Sequence, residues 1–288
     1  MQLLSNEVKL SFSAAPPILL LFIAAAISAD GAPRKGTARS LARAETAFAQ
    51  EARDKGIRSA FLDVLSDDSI VFQPGPQNGK KAFAAKPENG EGVLEWQPVL
   101  AATATNGDLG YTTGPSTYKK SASDSEAAYG QFVSIWRWEN GTWKLLFDIS
   151  SKNPAPSGST PRLQLVNNHA PNASAADAEA LMVAHDRRYA ADRAGQVAAA
   201  AEENVRLYQP GKFPVVGRAE AAVELRKTEA RIQFGPPKAQ VSTGGDLGYL
   251  WGEYTAGAAR QPTGYYVRIW RKDRAGEWKL ALDLSRPR

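Results

Sequence analysis

The 288-residue sequence contains no cysteine. Disulfides, thiolate metal sites and thiol nucleophiles are excluded together. There are only two histidines, His169 and His185, too few for a metal-ligand cluster. No metal and no cofactor is expected. No Gly-rich phosphate loop and no serine-nucleophile elbow is present. Long runs of one charge are also missing. The formal net charge is +5 and the pI about 9.3, yet Lys and Arg are interleaved with Asp and Glu. The exceptions are doublets such as Lys80-Lys81, Lys119-Lys120 and Arg187-Arg188. A nucleic-acid binder concentrates its basic residues on one face, so no nucleic-acid partner is expected. Nor does any apolar run reach the roughly 20 residues that a membrane-spanning helix needs. The apolar stretch Ala14–Ala29 is shorter and is broken by Pro16-Pro17. Small residues at Ala26, Ser28, Ala29 and Ala32 follow its centre. That layout fits a cleaved secretory signal at residues 1–29 and a flexible lead-in at 30–39. It implies a periplasmic or secreted protein with no stable membrane anchor after cleavage.

What is present is a repetition. Asp108-Leu109-Gly110-Tyr111 leads through Gly114 to Ile135-Trp136-Arg137, Trp143-Lys144-Leu145, Asp148 and Ser150. The same order returns as Asp246-Leu247-Gly248-Tyr249, Gly252, Ile269-Trp270-Arg271, Trp278-Lys279-Leu280, Asp283 and Ser285. Phe72-Gln73-Pro74-Gly75 likewise reappears as Tyr208-Gln209-Pro210-Gly211. Internal repetition means one domain built twice, here at residues 40–150 and 177–288. Residues 151–176, rich in Pro, Ser, Asn and Gly, read as a linker in which Leu163–Val166 is apolar enough to dock locally. Hydrophobic content of 43% and charged content of 23% are those of a globular protein.

Each copy begins with helical spacing. Leu41, Ala44, Phe48 and Ala52 share one face with Glu45 at its edge, and Leu181, His185 and Tyr189 stripe the corresponding helix. Gly56 should end the first helix. A second helix carries Ile57, Phe61, Val64 and Leu65, and the matching segment has Ala198–Ala201 in place of Leu62–Leu65. Strand Ser69–Phe72 is followed by Pro74-Gly75-Pro76 and a short third helix over Gly79–Lys86. Strands then take over. Asn106-Gly107 and Asn140-Gly141 predict type I′ hairpins, whose two central residues need positive φ.

Pairing Glu139 with Thr142 sets the register of the last hairpin. Strict alternation then puts Ser134, Trp136, Trp138, Trp143, Leu145 and Phe147 on one face, and Val133, Ile135, Arg137, Lys144, Leu146 and Asp148 on the other. Both faces carry large apolar groups, so both must be covered. Helices cover one. The other repeat is the expected cover for the second, making an intramolecular pseudo-dimer.

The helix with an acidic edge, the strand ending in Pro-Gly, the stretch "GDLGYTTG" and the pattern "W-R…G-x-W-K-L…D" together resemble the nuclear transport factor 2-like (cystatin-like) superfamily, and within it the SnoaL-like branch of unknown-function domains. The resemblance covers roughly residues 40–150 and 177–286. It implies an α+β fold of two cone-shaped domains, each with three helices packed on a curved antiparallel sheet. It also implies a hollow that hosts isomerases, dehydratases, cyclases and non-enzymatic binders alike, so the fold leaves function open. Family enzymes pair a carboxylate or His–Asp base with a Tyr or protonated acid. The corresponding candidates are His185, Tyr249 and Asp283 for catalysis, and Glu45, Phe48, Tyr111, Asp148, Tyr189 and Tyr249 for ligand binding. Arg137 and Arg271 are the competing structural partners for Asp148 and Asp283. His185, on the apolar stripe, together with the alanines at 198–201, points to the second cone as the functional one. The expected function is binding of a small apolar molecule by an exported protein. Proton-transfer catalysis is the first alternative and an interaction scaffold without a pocket the second.

Overall fold

A computed structural model describes residues 35–288 apart from 89, 91, 157 and 228–231. The expected signal segment and the first half of the lead-in, residues 30–34, lie outside the described residues. The described chain forms one compact unit in which one order of elements occurs twice. The first half runs α1 (Ala38–Lys55), α2 (Ile57–Val64), β1 (Leu65–Phe72), β2 (Pro76–Asn78), α3 (Gly79–Ala84), β3 (Val93–Trp96), β4 (Leu100–Thr103), β5 (Leu109–Lys119), β6 (Ala128–Glu139) and β7 (Thr142–Asn153). The connecting segment contributes β8 (Gln164–Asn167). The second half runs α4 (Ala175–Ala191), α5 (Arg193–Ala200), β9 (Ala201–Tyr208), β10 (Val215–Val216), α6 (Arg218–Arg226), β11 (Ile232–Phe234), β12 (Lys238–Val241), β13 (Leu247–Ala256), β14 (Gly264–Lys272) and β15 (Trp278–Pro287). This is the expected α+β class: two sheets, each with its own three helices.

The first sheet has the order β2-β1-β7-β6-β5-β4-β8, with β3 also paired to β5. The second has the order β10-β9-β15-β14-β13-β11, with β12 also on β13. Hairpins make most pairs antiparallel. The strand that leaves each helix pair runs parallel instead, β1 on β7 and β9 on β15. The apolar stretch of the connecting segment docks as β8, parallel to β4.

α1 starts on a capping box. The Thr37 side chain accepts from the Ser40 amide, and the Ser40 hydroxyl accepts from the Thr37 amide. It ends at Gly56, whose φ of 85° a side chain would resist. The Asn140-Gly141 turn has positive φ at both residues, as type I′ requires. Asn106-Gly107 does not: only Gly107 is positive, at 68°. A longer loop spans Ala104 to Leu109, closed by the Ala104 amide on the Leu109 carbonyl at 2.9 Å. Its geometry serves a tertiary role. Asp108 Oδ2 accepts from the Thr243 amide of the other half at 2.7 Å. In return, Asp246 accepts from the Thr105 amide at 2.9 Å and hydroxyl at 2.7 Å.

The strict alternation expected along β7 is broken. Ile135 pairs with Phe147 but Trp136 pairs with Leu145, so Leu146 is an extra residue and the strand carries a bulge. Beyond it the faces exchange. Phe147 joins the face that meets the other sheet, and Asp148 moves to the helix face, opposite Ser134. The same bulge recurs at Ala281, between the pairs Ile269–Leu282 and Trp270–Leu280.

Three cores result. One lies between α1, α2, α3 and the first sheet, around Phe48, Phe61, Phe83 and Trp136. Its counterpart in the second half surrounds Met182, Tyr189 and Trp270. The third lies between the sheets, where Tyr111, Ile135 and Phe147 meet Tyr249, Trp251 and Leu282. There Phe72 stands edge-on to Trp251 and Tyr265, with ring centroids 5.6 and 5.2 Å away. Both faces of each sheet are therefore covered, as their apolar composition demands.

Candidate functional site

In the first half, the space between helices and sheet narrows towards α1. Glu45 is fully buried at its end. Its carboxylate accepts from the indole N–H of Trp96, from the Thr112 hydroxyl, and from the indole N–H of Trp136 at 2.9 Å. Phe48, one turn along α1, stands edge-on to Phe61 and Trp96 at 4.7 and 4.8 Å. Burial raises the Glu45 pKa to about 7 against the pull of its donors, with the nearby Asp148 adding to the rise.

Asp148 lies further out on the same wall, and the Ser134 hydroxyl donates to it at 2.9 Å. Burial raises its pKa to about 6, with the Ser134 hydrogen bond and then Arg286 opposing. It is enclosed by protein yet keeps an edge on open space, because it lines two adjoining cavities. The inner one, about 60 Å³, is bounded by Phe48, Trp96 and Phe132 among others. The outer one, about 660 Å³, opens past Phe72, Ile149 and Tyr118 towards the surface. Phe61, Leu94, Asp148 and Ser150 line both. The first cone is therefore a funnel of ordinary ligand-site size, aromatic within and carrying one half-buried carboxyl at its waist.

Among its described residues the second cone holds a buried cluster of charged side chains. Arg268 occupies the place of Ser134 and is completely buried. It donates to both oxygens of Asp186, at 3.0 and 3.2 Å, and to Asp283 at 3.3 Å. Arg193 lies 3.0 Å from Asp283 on its other side, and the Tyr189 hydroxyl donates to it at 2.9 Å. The Arg268 guanidinium also lies over Phe234 at 4.0 Å and Tyr266 at 4.6 Å. Burial works to raise the Asp283 pKa, but Arg193 and Arg268 outweigh it and hold it down. For Asp186, burial prevails over Arg268 and raises it.

The sequence-derived candidates thus separate into groups. Glu45, Phe48 and Asp148 come together in the first cone. Tyr189 and Asp283 meet in the second, bound to each other and to arginine. Asp148 and Asp283 are not partners of Arg137 and Arg271. The bulges turn both aspartates to the helix side, while Arg137 pairs with Asp68 at 2.8 Å and Arg271 with Glu202 at 2.7 Å. Tyr111 and Tyr249 face the opposite sheet rather than a cone, and the Tyr249 hydroxyl donates to Gln240 at 2.9 Å.

His185 does not point into the second cone. The buried stripe of α4 is Ala178, Met182, Asp186 and Tyr189, while Leu181 is 55% exposed. Asp186 takes the inward place, as Glu45 does on α1, and each accepts from the indole N–H of the matching tryptophan, Trp270 and Trp136. His185 packs half-buried beside Trp270, with ring centroids 6.3 Å apart, and burial followed by Arg188 lowers its pKa. None of the larger cavities among the described residues is lined by it. Among the described residues Ala198–Ala200 line none of these cavities, and Ala201 borders a separate one with Glu202, Arg271 and Lys279 that His185 does not reach. Three residues escaped the sequence reading: Arg268, Arg58 and Arg286. The signal for Arg268 was available, since it stands where the first copy has Ser134. No local pattern marks the other two.

Among the described residues no group of three or more His, Asp and Glu is placed to hold a metal ion, and no helix is long and apolar enough to cross a membrane.

Among the described residues the arrangement is an α+β fold with two cones, the first open to a cavity and the second holding the buried side chains of Arg193 and Arg268. No family model matches the sequence, and no curated protein matches it. Similar solved structures include an NTF-2 like protein of unknown function from Shewanella oneidensis, at 11% identity and TM-score 0.33, covering 39% of this chain and 97% of that one. An NTF2-like protein of unknown function from Pseudomonas putida is 17% identical, with TM-score 0.32, and covers 39% of this chain and 84% of its own. A domain of unknown function with a cystatin-like fold from Nostoc punctiforme is 13% identical, with TM-score 0.32, over 38% of this chain and 76% of its own. Each match spans about the length of one half.

Proposed function

We propose that this protein binds one small, largely apolar molecule in the first cone. The carrying observation is the funnel of about 660 Å³ that leads past Asp148 into an aromatic chamber, beside a second cone whose interior is taken by Arg268. The inner end is aromatic and the mouth polar, a combination that can bury an apolar body and orient it by a few polar groups. Ser134→Arg, which copies the second half, tests the reading. The new guanidinium would pair with Asp148 as Arg268 pairs with Asp283, and fill the inner chamber. Calorimetric titration with the neutral aromatic 2-naphthamide should show binding to the wild type and loss of at least ten-fold in Ser134→Arg, with the fold intact by circular dichroism. Undiminished binding in that variant would reject the first cone as the site. Export, suggested by the apolar run Ala14–Ala29, belongs to the same reading. N-terminal sequencing of protein from its own host should begin between about residues 29 and 33, and a mature chain that keeps Met1 would refute it.

A second reading, proton transfer, is favoured by the Asp148 carboxyl alone. With a pKa of about 6 it can accept a proton from a carbon acid near neutral pH. Glu45 is less suited, since three donors already occupy its oxygens. NMR of solvent deuterium entering the position next to the carbonyl of 2-tetralone reports the reaction. Exchange catalysed by the wild type and abolished by Asp148→Asn supports it; no enzyme-dependent exchange leaves a pure binder.

A further inference from the structure

We propose that the ligand of the first cone is an organic anion, with an apolar body along Phe61, Phe72 and Leu94 and a carboxylate-like head group held at the mouth by Arg58 and Arg286. This rests on the binding reading above.

The charge of the mouth points to it. Arg58, Lys86, Lys120 and Arg286 line the outer cavity, against Glu88 and Asp148. Among the described residues, none of these four cations forms an ion pair. Some arginines elsewhere do lie close to carboxylates: Arg137, Arg268, Arg271 and Arg288 are 2.5–3.3 Å from theirs. What sets Arg58 and Arg286 apart is that both line one cavity, together with Lys86 and Lys120.

The two arginines are also short of hydrogen bonds. Nε of Arg58 is buried with no partner, and its Nη2 reaches only the Ala84 carbonyl at 3.5 Å. Nη1 of Arg286 reaches the Ser150 carbonyl, again at 3.5 Å. Each guanidinium has five N–H donors in a planar fork. A buried donor left unmade costs free energy that a ligand oxygen recovers, and the fork matches a carboxylate in two-point contact. The lysines are exposed and add field rather than fixed contacts.

The position of Arg286 in the chain strengthens the inference. It belongs to β15, the last strand of the second half, opposite Tyr265. The end of β15 lies along the end of β7, where the Ser151 hydroxyl donates to the Ser285 carbonyl at 2.8 Å. The half whose own cone holds Arg193 and Arg268 thus completes the mouth of the other. The head group would sit outside Asp148, near the surface, and the apolar body would run inwards past it.

Calorimetry with the full chain decides the question, using three probes of one shape: 2-naphthoate, its neutral amide and the cationic 2-naphthylmethylamine. The acid should bind at least ten-fold more tightly than the amide, and the amine more weakly than either. Arg286→Gln should cost the acid ten-fold or more and leave the amide within about two-fold. Arg58→Gln, on a different element in the other half of the chain, should do the same and guards against a folding defect in the first variant. Equal affinity for acid and amide, or parallel losses for both in the arginine variants, overturns the anion proposal and leaves a neutral-ligand cone standing. If none of the three binds, or if Ser134→Arg does not weaken the amide, the binding reading itself falls.

Discussion

Ser134 and Arg268 occupy corresponding places in the two halves and do opposite things to their cones. The serine donates one hydrogen bond to Asp148 and leaves space beside it. The arginine fills that space and binds two aspartates. A guanidinium buried with its counter-ions is held by mutual need, and removing one partner strands the others. Arg268→Ala should therefore destabilise the protein by about 3–5 kcal/mol, as read by urea unfolding followed by tryptophan fluorescence. A change below about 1 kcal/mol would show that water replaces the guanidinium without penalty. Glu45 makes a second prediction. Its pKa rises from the ordinary 4.5 to about 7 on folding, so the folded chain holds more protons than the unfolded one between those values. Stability is then fully present below about pH 4.5 and is lost as pH rises through 7. The cost at pH 8 is of the order of 3 kcal/mol. Melting temperature should fall from pH 5 to pH 8 in the wild type, and that fall should shrink in Glu45→Gln. An identical profile in the variant would place the titrating group elsewhere. Glu45, Phe48 and Asp148 were readable beforehand as ligand-binding candidates on or beside apolar stripes, although the sequence pointed to the second cone, with His185, Tyr249 and Asp283, as the functional one. Arg58 and Arg286 were not readable, because their lining one cavity depends on how two distant chain segments converge.

At the scale of single elements, the bulges at Leu146 and Ala281 decide which residues see the cones. Side-chain parity along a strand is unforgiving: one extra residue exchanges every later side chain between faces. Alternation read from the hairpin turn was right as far as Leu145 and inverted from Phe147 onwards. The order and type of elements were readable because helical spacing and turn residues are local signals. The bulges are not, since Leu146 is apolar and suits either face. The loop at Asn106-Gly107 departs from a tight hairpin for a similar reason, its Asp108 and Thr105 being engaged with Thr243 and Asp246 of the other half. Gly114 gives a test at this scale. A methyl group there would lie 2.0 Å from the Gln97 carbonyl oxygen, where the chain between β3 and β4 crosses β5. Backbone must move to relieve that contact. Gly114→Ala should cost more than about 2 kcal/mol in chemical denaturation; a near-neutral variant would show that the crossing is loosely held.

For the whole molecule, the contact between sheets is the principal long-range feature. Tyr111, Ile135 and Phe147 on one side and Tyr249, Trp251 and Leu282 on the other form a single core. Residues 35–153 expressed alone would present that face to water, and exposed apolar surface of this kind drives association. Light scattering behind a sizing column should find dimers or larger species, and a well-behaved monomer would count against the sheet contact as a source of stability. The doubly apolar hairpins made this arrangement readable from sequence, since a sheet with two apolar faces needs two covers.

Symmetry gives the arginine in the second cone a consequence for binding equilibria. An assembly of identical chains repeats every side chain, so a residue that closes one hollow closes them all, and its sites come in sets. Joining the two halves in one polypeptide removes that constraint, and Arg268 has no counterpart opposite. Ligand should therefore saturate this protein at one molecule per chain along a simple hyperbola, with a Hill coefficient of about 1.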